Sequence, residues 1–259
     1  MESERKTCTV RLVGGPTALL EIGGLRLLTD PAFDGPGPIA SGTRTLIKTA
    51  GPAVSLEELG DLDIILLSHD QHADNLDISG RALLDEVPEV LTTPEAAERL
   101  GEDITGLRSW QHQTFERPDG GSLRITWVPA QHGPPGTEDL TGTVTGFVLT
   151  AFDLPAIYVS GDNASLDVTH EITERLGPMD AGIFFAGAAR TPMLDGFLTL
   201  TAEEVVEATL ITGAEVVIPV HMEGWQHFTE GPADLYDAFQ KYELDDRLVL
   251  LSPGDSVSF

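Results

Sequence analysis

The stretch "DIILLSHDQHADNLD", residues 63–77, sets a run of large aliphatic side chains directly before two histidines and three aspartates. The run is continuous rather than alternating, so it reads as a strand buried on both faces of a sheet. A strand end is a rigid place from which to project a side chain, and the loops that follow strands commonly carry function. Here His69, Asp70, His72 and Asp74 follow at once. The same pattern recurs along the chain. "RITWVPAQ" runs into His132, "AIYVS" into Gly161 and Asp162, and "EVVIPV" into His221. One histidine after a strand is ordinarily a cap or a core residue. Four of the chain's seven histidines at such ends, each beside a similar apolar run, point to a common metal centre.

The elements between these strands read as one α/β domain over residues 1–259, with mixed sheets and helices outside. "CTVRLVG", "TALLEIG" and "LRLLTDP" open the chain as strands, with Gly23–Gly24 a two-residue hairpin turn. The Gly- and Pro-rich residues 34–53 read as a loop. Helices are expected at 77–86, 94–100, across "LDVTHEITERLG", at 202–212 and at 232–242. Thr201 with Glu204 three residues on forms a capping box for the fourth of these. "SLRITWVPA", "TVTGFVLTAF", "AIYVSGD", "AGIFFAG" and "EVVIPVH" are strands, and "RLVLLSPGDSVSF" reads as a closing pair.

Composition narrows the partners. With 259 residues the chain can bury a substantial core, but 15 Lys+Arg against 42 Asp+Glu give a net charge of −27. Such a field repels nucleic acid and anionic membrane surfaces. It fits a cytoplasmic protein acting on a small molecule, and it argues against a highly anionic substrate unless a bound metal reverses the field locally. The charged start "MESERKTCTV" has no apolar core of a secretory signal. Cys8 is the only cysteine, so a thiolate-rich zinc site is excluded. Imidazole with carboxylate suits zinc, with manganese or iron as alternatives. Three or more His with two Asp are enough for one or two ions, a carboxylate bridging them. Whether the chain works alone or as a homo-oligomer stays open.

The ordered motifs resemble the metallo-β-lactamase superfamily, in particular its ascorbate-6-phosphate lactonase-like branch. "TALLEIGGLRLLTDPAF" is similar to that branch's opening hairpin and "LLSHDQHADNLD" to its histidine/aspartate motif. "VPAQHGP" resembles its next histidine, "YVSGD" its bridging aspartate, and "IPVHMEGWQHF" its last histidine and the Trp-x-His-Phe tail. The resemblance implies an αββα sandwich of two mixed sheets with metals at the sheet edges. It implies a hydrolase that opens lactones, esters or amides or cleaves phosphodiesters. His69, His72 and His132 would hold one ion, Asp74 and His221 a second, with Asp162 bridging. Asp70 or Asp74 would shuttle a proton, and Glu223, Trp225 and His227 would line the substrate pocket.

This sequence departs from the family's His-x-His-x-Asp-His pattern. His72 and Asp74 match it, but in strict register Asp70 takes the first place, and His69 reaches it only on a one-residue bulge. We read His69 as the ligand, with Asp70 the alternative. Asn75 stands where the motif ends in histidine, so the second metal position loses a donor. "VGGPT" replaces a Gly-His-Ala-Thr. These losses motivate a competing reading: a degenerate scaffold that binds a small molecule or a protein without hydrolysis. Asp77 is expected to cap a helix, and Asp30 to form a turn or hold a ligating imidazole.

Overall fold

The computed structural model describes residues 6–42 and 44–259. Fifteen strands are assigned among them: β1 (Cys8–Gly14), β2 (Thr17–Ile22), β3 (Leu25–Thr29), β4 (Gly37–Ser41), β5 (Arg44–Lys48), β6 (Ile64–Leu66), β7 (Glu89–Thr92), β8 (Thr105–Gly106), β9 (His112–Glu116), β10 (Ser122–Ala130), β11 (Val144–Thr150), β12 (Ile157–Val159), β13 (Ala181–Phe185), β14 (Val216–Val220) and β15 (Ser256–Ser258). The helices are α1 (Leu56–Leu59), α2 (Ile78–Leu83), α3 (Pro94–Leu100), α4 (Glu138–Thr141), α5 (Leu166–Leu176), α6 (Ala202–Thr212) and α7 (Pro232–Lys241).

Seven strands form one sheet in the order β15-β1-β2-β3-β6-β7-β8, and six form a second in the order β14-β13-β12-β11-β10-β9. Both are mixed. β3, β6, β7 and β8 run parallel, as do β12, β13 and β14, while the remaining pairs in these two sheets are antiparallel. The sheets share one core: Val10, Leu20, Leu27 and Ile64 of the first pack in the same cluster as Ile125, Trp127, Phe147 and Ile183 of the second. The outer face of the second sheet is covered by Ile172 of α5, Val205 and Val206 of α6 and Phe239 of α7. The outer face of the first carries Leu19, Leu28 and Ile65 under Leu59 and Leu83. The layers are therefore αββα, as expected.

Two elements differ from the sequence reading. Residues 37–48 are not all loop; β4 and β5 pair as an antiparallel hairpin. The closing segment supplies one assigned strand, β15, while Arg247–Val249 lies beside β14 through two backbone hydrogen bonds of 2.8 Å. Thr201 and Glu204 do form the capping box of α6, and Asp77 caps α2 by accepting from Gly80 N at 2.9 Å. Cys8 is buried in β1, and burial pushes its thiol up to about 12. Among the described residues no helix is long and apolar enough to cross a membrane.

Parallel strands in an α/β layer present their carboxyl ends at one edge, where ligands bind. β6, β10, β12 and β14 all end there. The loops of the two sheets are tied by Thr145 N donating to Ser68 O at 3.1 Å. Gly161 makes that approach close. Its φ is +56°, and a Cβ there would lie 2.6 Å from Thr145 O and 2.9 Å from Ser68 Cβ.

Candidate metal centre

The end of β6 delivers two donors, His69 and His72, and the ends of β10 and β12 deliver His132 and Asp162. His69 Nε2 lies 2.9 Å from His72 Nδ1, and His132 Nε2 lies 3.2 Å from the same atom. Asp162 Oδ2 is 3.5 Å from His132 Nε2. Among the described residues these four present donor atoms within 4.8 Å of one another. His69 is among these four, and Asp70 is not.

The hydrogen bonds behind the rings fix what the rings offer. His132 Nδ1 faces Leu198 O at 2.7 Å. A carbonyl only accepts, so Nδ1 carries the proton and Nε2 is a bare lone pair. Ser68 N and Oγ both donate to Asp30, at 2.6 Å each. With Asp30 ionised the hydroxyl has spent its one hydrogen, so it accepts from His69 Nδ1 at 2.9 Å, and His69 Nε2 is bare as well. His72 Nδ1 carries at most one hydrogen between two such acceptors. A cation removes the conflict. With Zn–N bonds of about 2.0–2.1 Å, tetrahedral nitrogens stand about 3.3 Å apart, close to the separations seen here. The donor set fits a divalent ion.

Burial lowers the pKa of His69 well below its ordinary value, and the neighbouring His72 lowers it further. Burial and His132 bring His72 down to about 4. Both imidazoles are therefore neutral at pH 7, as metal binding requires. Burial raises Asp162, but His221 and His132 outweigh it and the carboxyl is held low. Asp74 is also buried, yet His227 and His221 hold it well below the usual carboxylate range.

The residues expected at a second ion form a chain instead. His227 Nε2 lies 3.0 Å from Asp74 Oδ2, and His221 Nε2 lies 3.3 Å from that same oxygen. His221 Nδ1 faces Asp162 Oδ1 at 3.1 Å, so its ring stands between the two carboxylates at a φ of +56°. Asn75 Nδ2 donates to Asp30 at 3.0 Å and to Asp162 Oδ1 at 3.2 Å.

Three expectations are corrected. Asp70 stays outside the cluster, because Arg99 Nε donates to its carboxylate at 3.0 Å and it lines a separate hollow with Gln71 and Arg81. Glu223 does not line the pocket; its Oε1 accepts from Gly15 N at 2.6 Å. Trp225 is 4% exposed, and its ring packs on Gly15 and under the Lys48 ammonium. His227 does face the cleft, with Asp74, His72 and His132. The sequence reading missed Arg44, Arg190 and Thr191, which close over the same hollow. It also missed Leu198 O and Ser68, whose roles depend on the fold.

A family model described as the beta-lactamase superfamily domain matches residues 25–222. The chain belongs to the β-lactamase superfamily. Within it, a metal-dependent hydrolase from Pelotomaculum thermopropionicum is 27% identical over 96% of this chain and 98% of its own length. An N-acyl-phosphatidylethanolamine-hydrolyzing phospholipase D from Caenorhabditis elegans is 26% identical over 86% of this chain, which spans 65% of that relative. The superfamily fold is shared with an isothiocyanate hydrolase from Delia radicum gut bacteria. Its TM-score is 0.81 at 21% identity, covering 97% of this chain and 98% of the other.

Proposed function

We propose that this superfamily member is a metal-dependent hydrolase of a small molecule, acting on a lactone, ester, amide or phosphodiester. The observation that carries the reading is the convergence of three imidazole nitrogens, two of them fixed as bare acceptors, with Asp162 beside them. Kinship with proteins named metal-dependent hydrolases supports it. The ascorbate-6-phosphate lactonase-like branch remains part of this reading, as do residues 1–259 acting as one catalytic unit and zinc as the ion, with manganese or iron as alternatives.

A divalent cation here would supply Lewis acidity, polarising a carbonyl or phosphoryl oxygen and acidifying water towards a pKa of about 7. His69, His72, His132 and Asp162 would hold it. Ser68, with Asp30 behind it, and Leu198 O orient two of the rings. Asp74 is ionised and faces the hollow, so it accepts the proton of the attacking water and returns it to the leaving group. His227, bonded to the same carboxylate oxygen, keeps that oxygen oriented.

Elemental analysis of gently purified protein, followed by a panel of lactone, phosphodiester and β-lactam substrates, tests the reading. At least one ion per chain with turnover of one class is expected. The competing binding-module reading requires metal-free protein and no turnover of any class, a result that would remove the hydrolase.

A further inference from the structure

The hollow over the metal centre opens into a larger one of ≈ 980 Å³, within the size range of small-molecule sites. Arg44, Leu46, Arg190, Thr191 and His227 line both, so they stand at the junction. Arg44 comes from the β4–β5 hairpin and donates to Thr191 Oγ1 on the opposite loop. Among the described residues no carboxylate forms an ion pair with it. Arg190 lies over the Phe197 ring, and its ion-pair partner is the fully exposed Asp195 at 3.8 Å. Several other cations are held more closely: Arg99 by Asp70, Arg117 by Asp153, Lys48 by Asp77. In a chain of net charge −27, two weakly compensated guanidiniums facing one cleft place positive charge where a substrate enters. Arg44 is close enough for its charge to be felt at His72.

Beyond the arginines the walls are mixed, with apolar side chains beside Thr45, Gln226, Thr229 and the Asp195 carboxylate. Leu46 and Ile47 stand on β5, and Pro192, Met193 and Leu194 on the facing loop. Ile47 is 38% and Met193 56% exposed. Large side chains left open around a concave mouth mark a site that an apolar group covers.

We propose that the substrate is a small anionic amphiphile: a carboxylate or phosphate lies next to the scissile group, held by Arg44 and Arg190, and an apolar body extends into the larger hollow. This rests on the hydrolase reading and names its substrate class. Guanidinium forks suit carboxylate and phosphate alike, so the shared chemistry is an oxyanion. The global negative charge does not oppose it, because the arginines and the ion lie at the point of contact.

The test is calorimetric binding of octanoate, octyl phosphate and 1-octanol to the purified protein, metal-loaded and chelated. At least one anion should bind tenfold or more tightly than the alcohol in both states, and the tighter one identifies carboxylate or phosphate as the source. Arg44→Gln/Arg190→Gln should erase that preference while leaving octanol binding, metal content and melting temperature unchanged. Arg44→Lys in the wild-type background should keep part of it. Equal binding of all three ligands, or a preference undiminished in the double variant, would overturn the proposal. The failures separate. Turnover of some ester without anion preference sinks only this inference; anion preference without metal or turnover keeps the anion site and sinks the hydrolase.

Discussion

His72 is the residue on which the centre turns, since its Nδ1 meets the bare nitrogens of both His69 and His132. His72→Ala and His132→Ala should each lose most bound metal while the chain stays folded, because each removes a direct donor from a four-donor set. Unchanged metal content in both variants, read by elemental analysis, would refute the site. Ser68→Ala leaves every ligand in place but frees His69 from its orienting partner, so metal affinity should fall by about 10–100-fold. A chelator-competition titration reads that loss, and wild-type affinity would show that Ser68 is a bystander. Asn75→His should raise uptake of a second ion, since it returns an imidazole beside Asp162, where Asn75 now sits. Stoichiometry equal to or below wild type would mean that the backbone no longer aims this position at a metal. The convergence of His69, His72, His132 and Asp162 was legible because strand ends and residue types are written in the sequence. Their supports were not: Leu198 lies 66 residues from His132, and no local pattern marks a carbonyl as its partner. Asp70 misled because spacing alone cannot show that His69 faces the cluster while Asp70 pairs with Arg99.

At the scale of elements, the buried strands announced themselves and the hairpin did not. "DIILLS" and "AGIFFAG" are apolar throughout, as strands covered on both faces must be. β4 and β5 carry Gly37 and Pro38 and pair with each other outside the two large sheets, so their composition reads as loop. Yet that hairpin brings Arg44 to the cleft. The loops after β6 and β12 depend on a different detail, the missing side chain at Gly161. Gly161→Ala adds a Cβ at positive φ against Thr145 O and Ser68 Cβ. The strain and overpacking should cost about 1–3 kcal/mol. Because Asp162 is the next residue, metal affinity should fall as well. A variant with a wild-type denaturation midpoint and wild-type metal binding would show that the two loops are not so tightly joined.

At the scale of the whole molecule, a metal held at this site would act as a stability element. A ligand that binds only the folded chain stabilises it by mass action, so chelation should lower the melting temperature and added zinc or manganese should restore it. The chelated protein should then show its own pH profile. Burial lowers His221, but Asp162 and Asp74 outweigh burial and raise it to about 10. The folded state therefore keeps a proton that the unfolded chain releases above about 6.5, and this stabilisation fades as pH climbs towards 10. On the acid side, His69 and His72 are lowered, so below about 6.5 the unfolded chain binds two protons that the folded one refuses. Burial raises Asp30 to about 7, against the pull of Ser68 and Asn75, which returns one of those two. The net is one proton favouring the unfolded chain in acid and one favouring the folded chain in base. Stability of the chelated protein should peak at about pH 6.5–7 and change by up to about 1.4 kcal/mol per pH unit on either side. The loaded protein should diverge from it in base. Higher pH leaves fewer protons competing for the ligands, while the imidazolium that braces Asp74 and Asp162 is lost from the empty site. Melting both forms from pH 6 to pH 9 should show the gap widening with pH. A constant gap, in protein confirmed to have contained metal, would mean that His221 is not the charge that holds the two carboxylates together when the ion is gone.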